Sequence, residues 1–545
     1  MSFIGMGIYS LLRKTGLGFL PSGLAGGTIL IFYTLMVGAG VSSLRALIMF
    51  LVRIGADMAG RDYDLPTSLS LAAAILCAQQ PLYLTDAGFL LSFGAILGIT
   101  LFGPVFEEMF GVTEKKNRML KSLGGSLAVS LAVNVMLLGP VLYFYFEVPP
   151  YSVLLNLLVI PMMPVAMGAG VIGSALLTVW ELPGSAVLKL CKAVLWGYDV
   201  ICSSASTLPG SRFVSGRPQM TWLIVYYAVL GLLYIAFYFL RQRRERWKEF
   251  CIEEKEKGRF LLRIPGGGIL LFAAVMAVVC RLGYRVCGGM QMTVLDVGQG
   301  DSIHIRGEIG DYLVDGGSSD VPSAGPYRIE PYLLSNAADT LDYIFVTHGD
   351  EDHISGIKEL LEGQKLGVVI HTLVLPPTEY CDEKLLDLAY TARENGTRVV
   401  TMSAGDVLKG GFTCLGPEKG AGMEPGNEAS LVLSLTYGEF DMLLTGDVEG
   451  KGEDMLVESG RLHKYDVLKA AHHGSKNSGT EPFLEIVKPS VTLISAGADN
   501  RYGHPHEETL KRLEAAGSRV YSTQENGAIT VRTDGETMEI EGVLE

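Results

Sequence analysis

Apolar positions fall into two regimes along the chain. In the first half they form long runs with few charges: Leu24–Ala39, Leu44–Ala59, Ser68–Ala78, Gly88–Pro104, Leu123–Phe146, Ser152–Val179, Leu188–Ser203, Met220–Leu240 and Gly266–Leu282. A membrane-spanning helix needs about 20 such residues, so the pattern predicts about eight to ten spans. Ser68–Ala78 is short for a span, and Ser152–Val179 is broken by Pro161 and Pro164. Glycine and proline recur inside the runs, which membrane helices tolerate. The first residues lack the form of a cleaved signal peptide and are expected to stay in the product.

From Gln291 onward the rhythm changes to short apolar strands that run into polar loops. Met292–Leu295 leads into Asp296–Asp301, and Tyr312–Val314 ends at Asp315-Gly316-Gly317. Tyr343–Val346 runs into the loop Thr347–His353, and Phe440–Leu444 runs into Thr445-Gly446-Asp447. Val467–Ala470 precedes Ala471–Ser475, and Val491–Ser495 leads to the loop with Tyr502, His504 and His506. Helical stretches such as Asp382–Asn395 and Glu507–Ala516 lie between them. Strands alternating with helices predict a layered α/β domain. The expected organisation is a membrane domain over 1–283, a basic linker over 241–265 before the last span, and a soluble domain over 285–545.

Charge sharpens this division. Residues 1–283 hold 23 Lys+Arg against 15 Asp+Glu, a net of +8; residues 284–545 hold 21 against 43, a net of −22. All nine histidines follow residue 303. With 49% hydrophobic residues, the chain is neither disordered nor fibrous. The eight cysteines form no CxxC pair, and a Cys381–Cys414 disulfide has no support in the sequence. The basic stretch Arg241–Lys248 directly follows an apolar run and is expected in the cytoplasm. One further span, Gly266–Leu282, would then carry the acidic domain to the exterior. The polar residues Arg45, Arg53, Asp57, Asn134 and Asn156 inside the runs mark either a pathway or local pairing near helix ends.

The candidate chemistry gathers at strand ends. His348, Asp350, Asp352 and His353 fall within six residues, and a tight loop of this kind can aim several side chains at one point. Imidazole suits zinc, iron or manganese, whereas carboxylates favour harder ions. Asp447 and His472 come from other strand ends and would complete the cage. Asp296, Asp301 and Asp315 are weaker candidates, as orienting groups or as turn residues.

The His348-x-Asp350-x-Asp352-His353 loop, the Leu-Thr-Gly-Asp447 strand end and the His472-His473-Gly-Ser475 loop resemble the metallo-β-lactamase fold. Together with Asp296–Asp301 and Leu313–Gly317 they resemble the C-terminal domain of the ComEC family of competence DNA-uptake proteins. Leu44-Arg45-Ala46, Gly60-Arg61, Pro81 and Gly88–Phe93 resemble that family's membrane core. The resemblance implies a polytopic α-helical membrane domain followed by an α/β domain of metallo-β-lactamase type, an αββα sandwich. Family members carry a soluble OB-like domain and further helices before the point that Met1–Gly7 matches, so the chain is expected to lack them.

By resemblance, His348, Asp350, Asp352, His353, Asp447 and His472 are metal ligands, with Asp447 bridging two ions. Asp352 and Asp447 then belong to the catalytic set. Lys469, His473 and Ser475 are expected to contact phosphate, and His504 to be a ligand or proton donor. Asp350 stands where most of the superfamily has histidine, and Asn427-Glu428-Ala429-Ser430 replaces a further histidine, so Asn427 and Ser430 are candidates for lining the site. Fewer nitrogens shift the expected metal from Zn²⁺ toward Mn²⁺ or Mg²⁺.

The expected function is DNA internalisation across the cell membrane during transformation, with an exterior metal-dependent nuclease domain degrading the strand that is not transported. Its partners would be single-stranded DNA, the membrane and other competence-machinery proteins, with a homo-oligomer left open. Two alternatives stay open: a membrane-anchored hydrolase of another phosphoester, and a transport protein whose soluble domain binds without cutting. The net of −22 counts against tight DNA binding by this domain, since affinity for nucleic acid comes largely from neutralised phosphates.

Overall fold

The computed structural model describes residues 2–112, 117–250 and 288–544. It divides into two compact units, Met1–Tyr284 and Arg285–Glu545. The expected last span, Gly266–Leu282, and the linker residues after Phe250 lie outside the described residues.

The first unit contains helices α1 (Ser2–Lys14), α2 (Phe19–Met36), α3 (Val41–Met58), α4 (Leu65–Gln79), α5 (Ala87–Met109), α6 (Arg118–Tyr145), α7 (Ser152–Leu177), α8 (Glu181–Ser206) and α9 (Met220–Phe250). Among the described residues, five are long and apolar enough to cross a membrane: α2, α5, α6, α7 and the Met220–Arg243 part of α9. The eight to ten spans expected from the apolar runs include Gly266–Leu282, which lies outside the described residues. Two of those runs fall on α3, which carries Arg45, Arg53 and Asp57, and on α8, which carries Glu181, Lys189, Lys192 and Asp199. A third falls on α4, which is apolar but only 15 residues long. Pro161 and Pro164 do not break α7, which runs through both.

The polar groups within these helices pair locally. Arg45 Nε donates to Ser92 Oγ at 2.7 Å. Asp57 accepts from the Tyr9 hydroxyl at 2.8 Å and from neither arginine. The Arg53 guanidinium lies 5.0 Å from the Tyr63 ring centroid. Asn134 donates to the Ser130 carbonyl at 2.9 Å and accepts from Ser152 at 3.1 Å, while Asn156 donates to Ser130 Oγ at 3.2 Å. These bonds tie α6 to α7, where an unpaired amide would be costly in hydrocarbon. Strands β1 (Glu147–Val148) and β2 (Phe213–Val214) pair antiparallel beyond the helix ends.

The second unit is a four-layer sandwich. The strands of its first half are β3 (Met290–Val294), β4 (Ile303–Arg306), β5 (Asp311–Val314), β6 (Thr340–Phe345), β7 (Val369–Leu375) and β8 (Arg398–Thr401). There follow β9 (Val407–Leu408), β10 (Phe412–Gly416), β11 (Val432–Tyr437), β12 (Phe440–Leu444), β13 (Val467–Lys469), β14 (Val491–Ile494), β15 (Arg519–Ser522), β16 (Ile529–Thr533) and β17 (Met538–Gly542). One sheet has eight strands in the order β17-β16-β3-β4-β5-β6-β7-β8, and the other has seven in the order β15-β14-β13-β12-β11-β10-β9. The facing sides share one apolar core that includes Met292, Phe345, Phe412, Leu433 and Met442. Helices Glu330–Ser335, Glu351–Gly363 and Glu383–Glu394 cover the outer face of the first sheet. Helices Lys451–Glu458, Glu481–Val487 and Glu507–Ala515 cover the other. This is the expected αββα sandwich.

The strand order positions the site. β5 and β6 run parallel in one sheet, and β12, β13 and β14 run parallel in the other. Parallel neighbours deliver their C-terminal loops to the same edge, where ligands bind in open α/β sheets. Asp315, the Thr347–His353 loop, Asp447, the His472-His473 pair and the loop after β14 all leave from such ends.

Gly317 allows two of these loops to touch. A Cβ there would lie 2.5 Å from the Asp352 carbonyl carbon and 2.6 Å from the His353 nitrogen, both rigid backbone. Gly317→Ala is therefore expected to cost about 1–3 kcal/mol, as overpacking does. The soluble unit of the detergent-solubilised full chain should lose its protease resistance at lower urea than wild type; an unchanged midpoint would show that the loops can yield.

Candidate metal centre

Four loops bring nitrogen and oxygen atoms to one buried point. His353 is fully buried, with Nε2 3.3 Å from Asp447 Oδ2. His473 is 1% exposed, with Nε2 3.6 Å from the same oxygen and 3.5 Å from Asp352 Oδ2. His348, also buried, has Nε2 3.6 Å from Asp350 Oδ2. The triads His348–His353–Asp447, Asp352–His353–His473 and Asp301–Asp447–His473 each keep their ligand atoms within 4.8 Å of one another.

These atoms fit a divalent ion. Donors about 2.1 Å from a tetrahedral ion stand roughly 3.4 Å apart. The observed separations of 3.3–3.6 Å match that spacing. His348 Nε2, His353 Nε2, His473 Nε2, Asp447 Oδ1 and Asp301 Oδ1 are all buried without a hydrogen-bond partner. Buried polar atoms normally find partners, and a set of them facing one point calls for an ion.

The surroundings fix which imidazole nitrogen is free. Asp315 accepts from the backbone nitrogen and the hydroxyl of Thr347, each at 2.8 Å, and from His353 Nδ1 at 2.9 Å. Because the Thr347 hydroxyl proton goes to Asp315, its oxygen accepts from His348 Nδ1 at 3.0 Å. His473 Nδ1 donates to the Ser495 carbonyl at 2.8 Å. In all three rings Nδ1 carries the proton, which leaves the Nε2 lone pair toward the centre.

Electrostatics point the same way. Burial pushes the His353 imidazole toward neutrality, but the Asp447 and Asp315 carboxylates outweigh it and hold its pKa well above the usual value. Burial is likewise overcome at His473 by Asp447 and Asp301, which raise its pKa to about 10. Asp447 is held well below the carboxylate range because His353 and His473 offset its desolvation. The centre thus demands positive charge, from protons or from a metal ion.

The structure places the two adjacent histidines at different depths. His473, expected at the phosphate, belongs to the ligand cluster. His472, expected as a ligand, sits at the rim, with Nε2 3.9 Å from Asp447 and Nδ1 2.9 Å from Glu449 Oε2. Both residues adopt left-handed backbone, at φ 49° and 53°, so neighbouring side chains can serve the rim and the interior. Lys469 is not free to meet a phosphate: it is 1% exposed, and its Nζ bonds Asp301 Oδ2 at 2.7 Å. A buried ammonium needs such a counter-ion. Ser475 is buried and its Oγ accepts from the Asn477 backbone at 3.3 Å, so it shapes the loop.

The remaining candidates spread around the centre. Asp350 stands at the N-cap position of the helix Glu351–Gly363 without a capping side-chain bond, and it is exposed. Asn427 Nδ2 lies 3.4 Å from both Glu449 Oε1 and His472 Nδ1, outside the cluster. Ser430 Oγ is buried without a partner. His504 stands against His472 with ring centroids 5.4 Å apart. Burial and the neighbouring histidines lower its pKa to about 4. Asp296 is partly buried and accepts from the Gly298 nitrogen at 3.2 Å, as a turn residue does. Glu449 and Thr347 were not foreseen; their one sequence signal is adjacency to Asp447 and His348. Cys381 and Cys414 are free thiols.

The fold and this donor set define a metallo-β-lactamase superfamily domain, and residues 295–498 match that superfamily. Residues 1–240 match the family described as Competence protein. The chain therefore joins a Competence (ComEC) family membrane domain to a C-terminal metallo-β-lactamase domain. ComE operon protein 3 of Bacillus subtilis (strain 168) is 28% identical over 526 residues, 92% of this chain and 62% of its own length. Competence protein ComA of Neisseria gonorrhoeae is 27% identical over 523 residues, 94% of this chain and 64% of its own. The chain thus spans less than two thirds of either relative. Among solved structures, the metallo-beta-lactamase fold protein YhfI from Bacillus subtilis aligns at 15% identity and TM-score 0.31, covering 43% of this chain and 96% of that one. The short form of human tRNase Z aligns at 14% identity and TM-score 0.26, covering 42% and 96%.

A pH dependence follows from the imidazoles. A group with a raised pKa is protonated below that value, so at pH 7.5 a chelator-stripped centre is expected to carry a second proton on His473, at Nε2. A metal must displace it. Binding of Mn²⁺ to the stripped full chain should release about one proton or more, and affinity should rise with pH. Titration calorimetry in buffers of different ionisation enthalpy measures this; binding without proton release would contradict the charge assignment.

Proposed function

We propose that the chain works in DNA uptake across the cell membrane, and that its soluble domain is a metal-dependent phosphodiesterase cutting single-stranded DNA on the exterior face. The observation that carries the reading is the set of buried, unpartnered imidazole and carboxylate atoms at converging strand ends, in a chain whose other half is a Competence-family membrane domain. The family matched by residues 1–240 is described as Competence protein, and one relative is named Competence protein ComA, which supports a role in DNA uptake.

Asp352, His353 and His473 would hold one ion, and His348 and Asp350 would hold a second, with Asp447 between them. When bound, such ions supply charge stabilisation for the phosphoryl oxygens and activate water. The chain's own groups do the rest. Asp315 keeps His353 turned inward, and Thr347 does the same for His348. Lys469 balances Asp301 behind His473, so that the carboxylate can stay ionised in the interior. His472 stands at the rim with Nδ1 anchored by Glu449, where its Nε2 can give a proton to a departing oxygen.

Asp350 and Asn427 stand where much of the superfamily has histidines, which favours a harder ion. The detergent-solubilised full chain should cut single-stranded DNA faster with Mn²⁺ than with Zn²⁺, and chelator should abolish cutting. Asp352→Ala should reduce the rate by at least about 100-fold while the protein stays folded, because a ligand and its charge stabilisation go together. Near-wild-type cutting by a folded Asp352→Ala protein would sink the assignment. Hydrolysis of small phosphodiesters without DNA cutting would favour another phosphoester as substrate.

The exterior placement rests on the basic stretch Arg241–Lys248 after the apolar part of α9, followed by the apolar run Gly266–Leu282. Protease added to intact spheroplasts should release the soluble domain. Release only after permeabilisation would invert the topology.

A further inference from the structure

The loop after β14 carries a row of rings that ends in the metal centre. Tyr502 is 44% exposed, and its ring lies 5.7 Å from that of His504 at an interplanar angle of 21°. His504 lies in turn 6.1 Å from His473, at 29°. Near-parallel rings thus lead from solvent through His504 to a residue of the ligand cluster. The Arg501 guanidinium stands 4.9 Å from the Tyr502 centroid and donates to its hydroxyl at 2.7 Å.

The loop is held rigidly. Asn500 Oδ1 accepts from the backbone nitrogens of Tyr502 and His504, at 3.2 and 3.0 Å. Asn500 Nδ2 donates to the Gly497 carbonyl at 2.9 Å. Gln524 Nε2 donates to the His504 carbonyl at 2.8 Å. An aromatic ring on a loop held by this network beside the metal-ligand cluster is preorganised for a flat ligand.

The charge balance makes such a face necessary. Residues 284–545 carry a net of −22, so neutralised phosphates cannot supply most of the affinity for a polyanion. Stacking can, because every base offers a π-face whatever the sequence. Arg501 adds a local positive charge beside the ring. We propose that Tyr502, backed by His504 and flanked by Arg501, is a stacking platform for one base of a single-stranded nucleic acid whose phosphate enters the metal centre. This inference rests on the phosphodiesterase reading above and narrows its substrate to strands that carry bases.

The test compares two phosphorothioate-linked, fluorescently labelled strands of equal length, an oligothymidylate and an abasic deoxyribose-phosphate strand. Their Kd values are measured by anisotropy on the full chain in Mn²⁺. Wild type should prefer the oligothymidylate, and Tyr502→Ala should cut that preference about 5- to 150-fold. Tyr502→Phe should keep it, and all three proteins should unfold at matched temperatures. Equal binding of both strands by wild type, an equal loss on both in Tyr502→Ala, or an unchanged preference would each overturn the proposal. A wild type that shows the preference without cutting natural DNA would refute the nuclease reading and leave the platform standing. One that cuts, with a Tyr502→Ala variant of unchanged preference, would refute the platform alone.

Discussion

Four carboxylates, Asp301, Asp315, Asp352 and Asp447, meet at one edge of the sandwich, and three of them are almost wholly buried. Concentrating that much negative charge away from water is unfavourable unless cations share the space. One is built in: Lys469, bonded to Asp301. The rest of the demand falls on the imidazoles, or on an ion that their free nitrogens and the carboxylates are spaced to hold. The centre is therefore a charge-balance problem first and a constellation of ligands second.

The supporting groups follow from that demand. Asp315 and Thr347 consume each other's hydrogen-bonding capacity and so fix the tautomers of His348 and His353. The Ser495 carbonyl does the same for His473 from the neighbouring strand end. Left-handed backbone at His472 and His473 lets two adjacent histidines serve different depths of the site. Gly317 lets the β5 loop lie against the backbone of Asp352 and His353. Each device acts on the direction of a donor atom, which is what separates an ion site from a group of surface histidines.

The membrane unit obeys a different economy. Its polar side chains are few, and they bond across helices, as Ser130, Asn134, Ser152 and Asn156 do between α6 and α7. In α3, Arg45 reaches Ser92 and Asp57 reaches Tyr9, so the charges of that helix are shared among α1, α3 and α5 instead of with each other.

The sequence by itself determined the change of regime near residue 284, the strand ends that carry chemistry, and the identity of most donors. Period-two apolar segments ending in Asp, His and Gly report strands and their loops locally, so Phe440–Leu444 and Val467–Lys469 were legible along with Asp447 and the two histidines that follow β13. The terminal hairpin β16–β17, which joins the eight-stranded sheet through the pairing of β16 with β3, was not, because β3 lies far away in the chain. Only the tertiary structure decided which histidine of the adjacent pair turns inward, that Lys469 is spent on Asp301, and that Glu449 anchors His472. A sequence lists which groups are available; which of them face each other depends on backbone direction and on contacts between distant strands, and those exist only once the chain has folded.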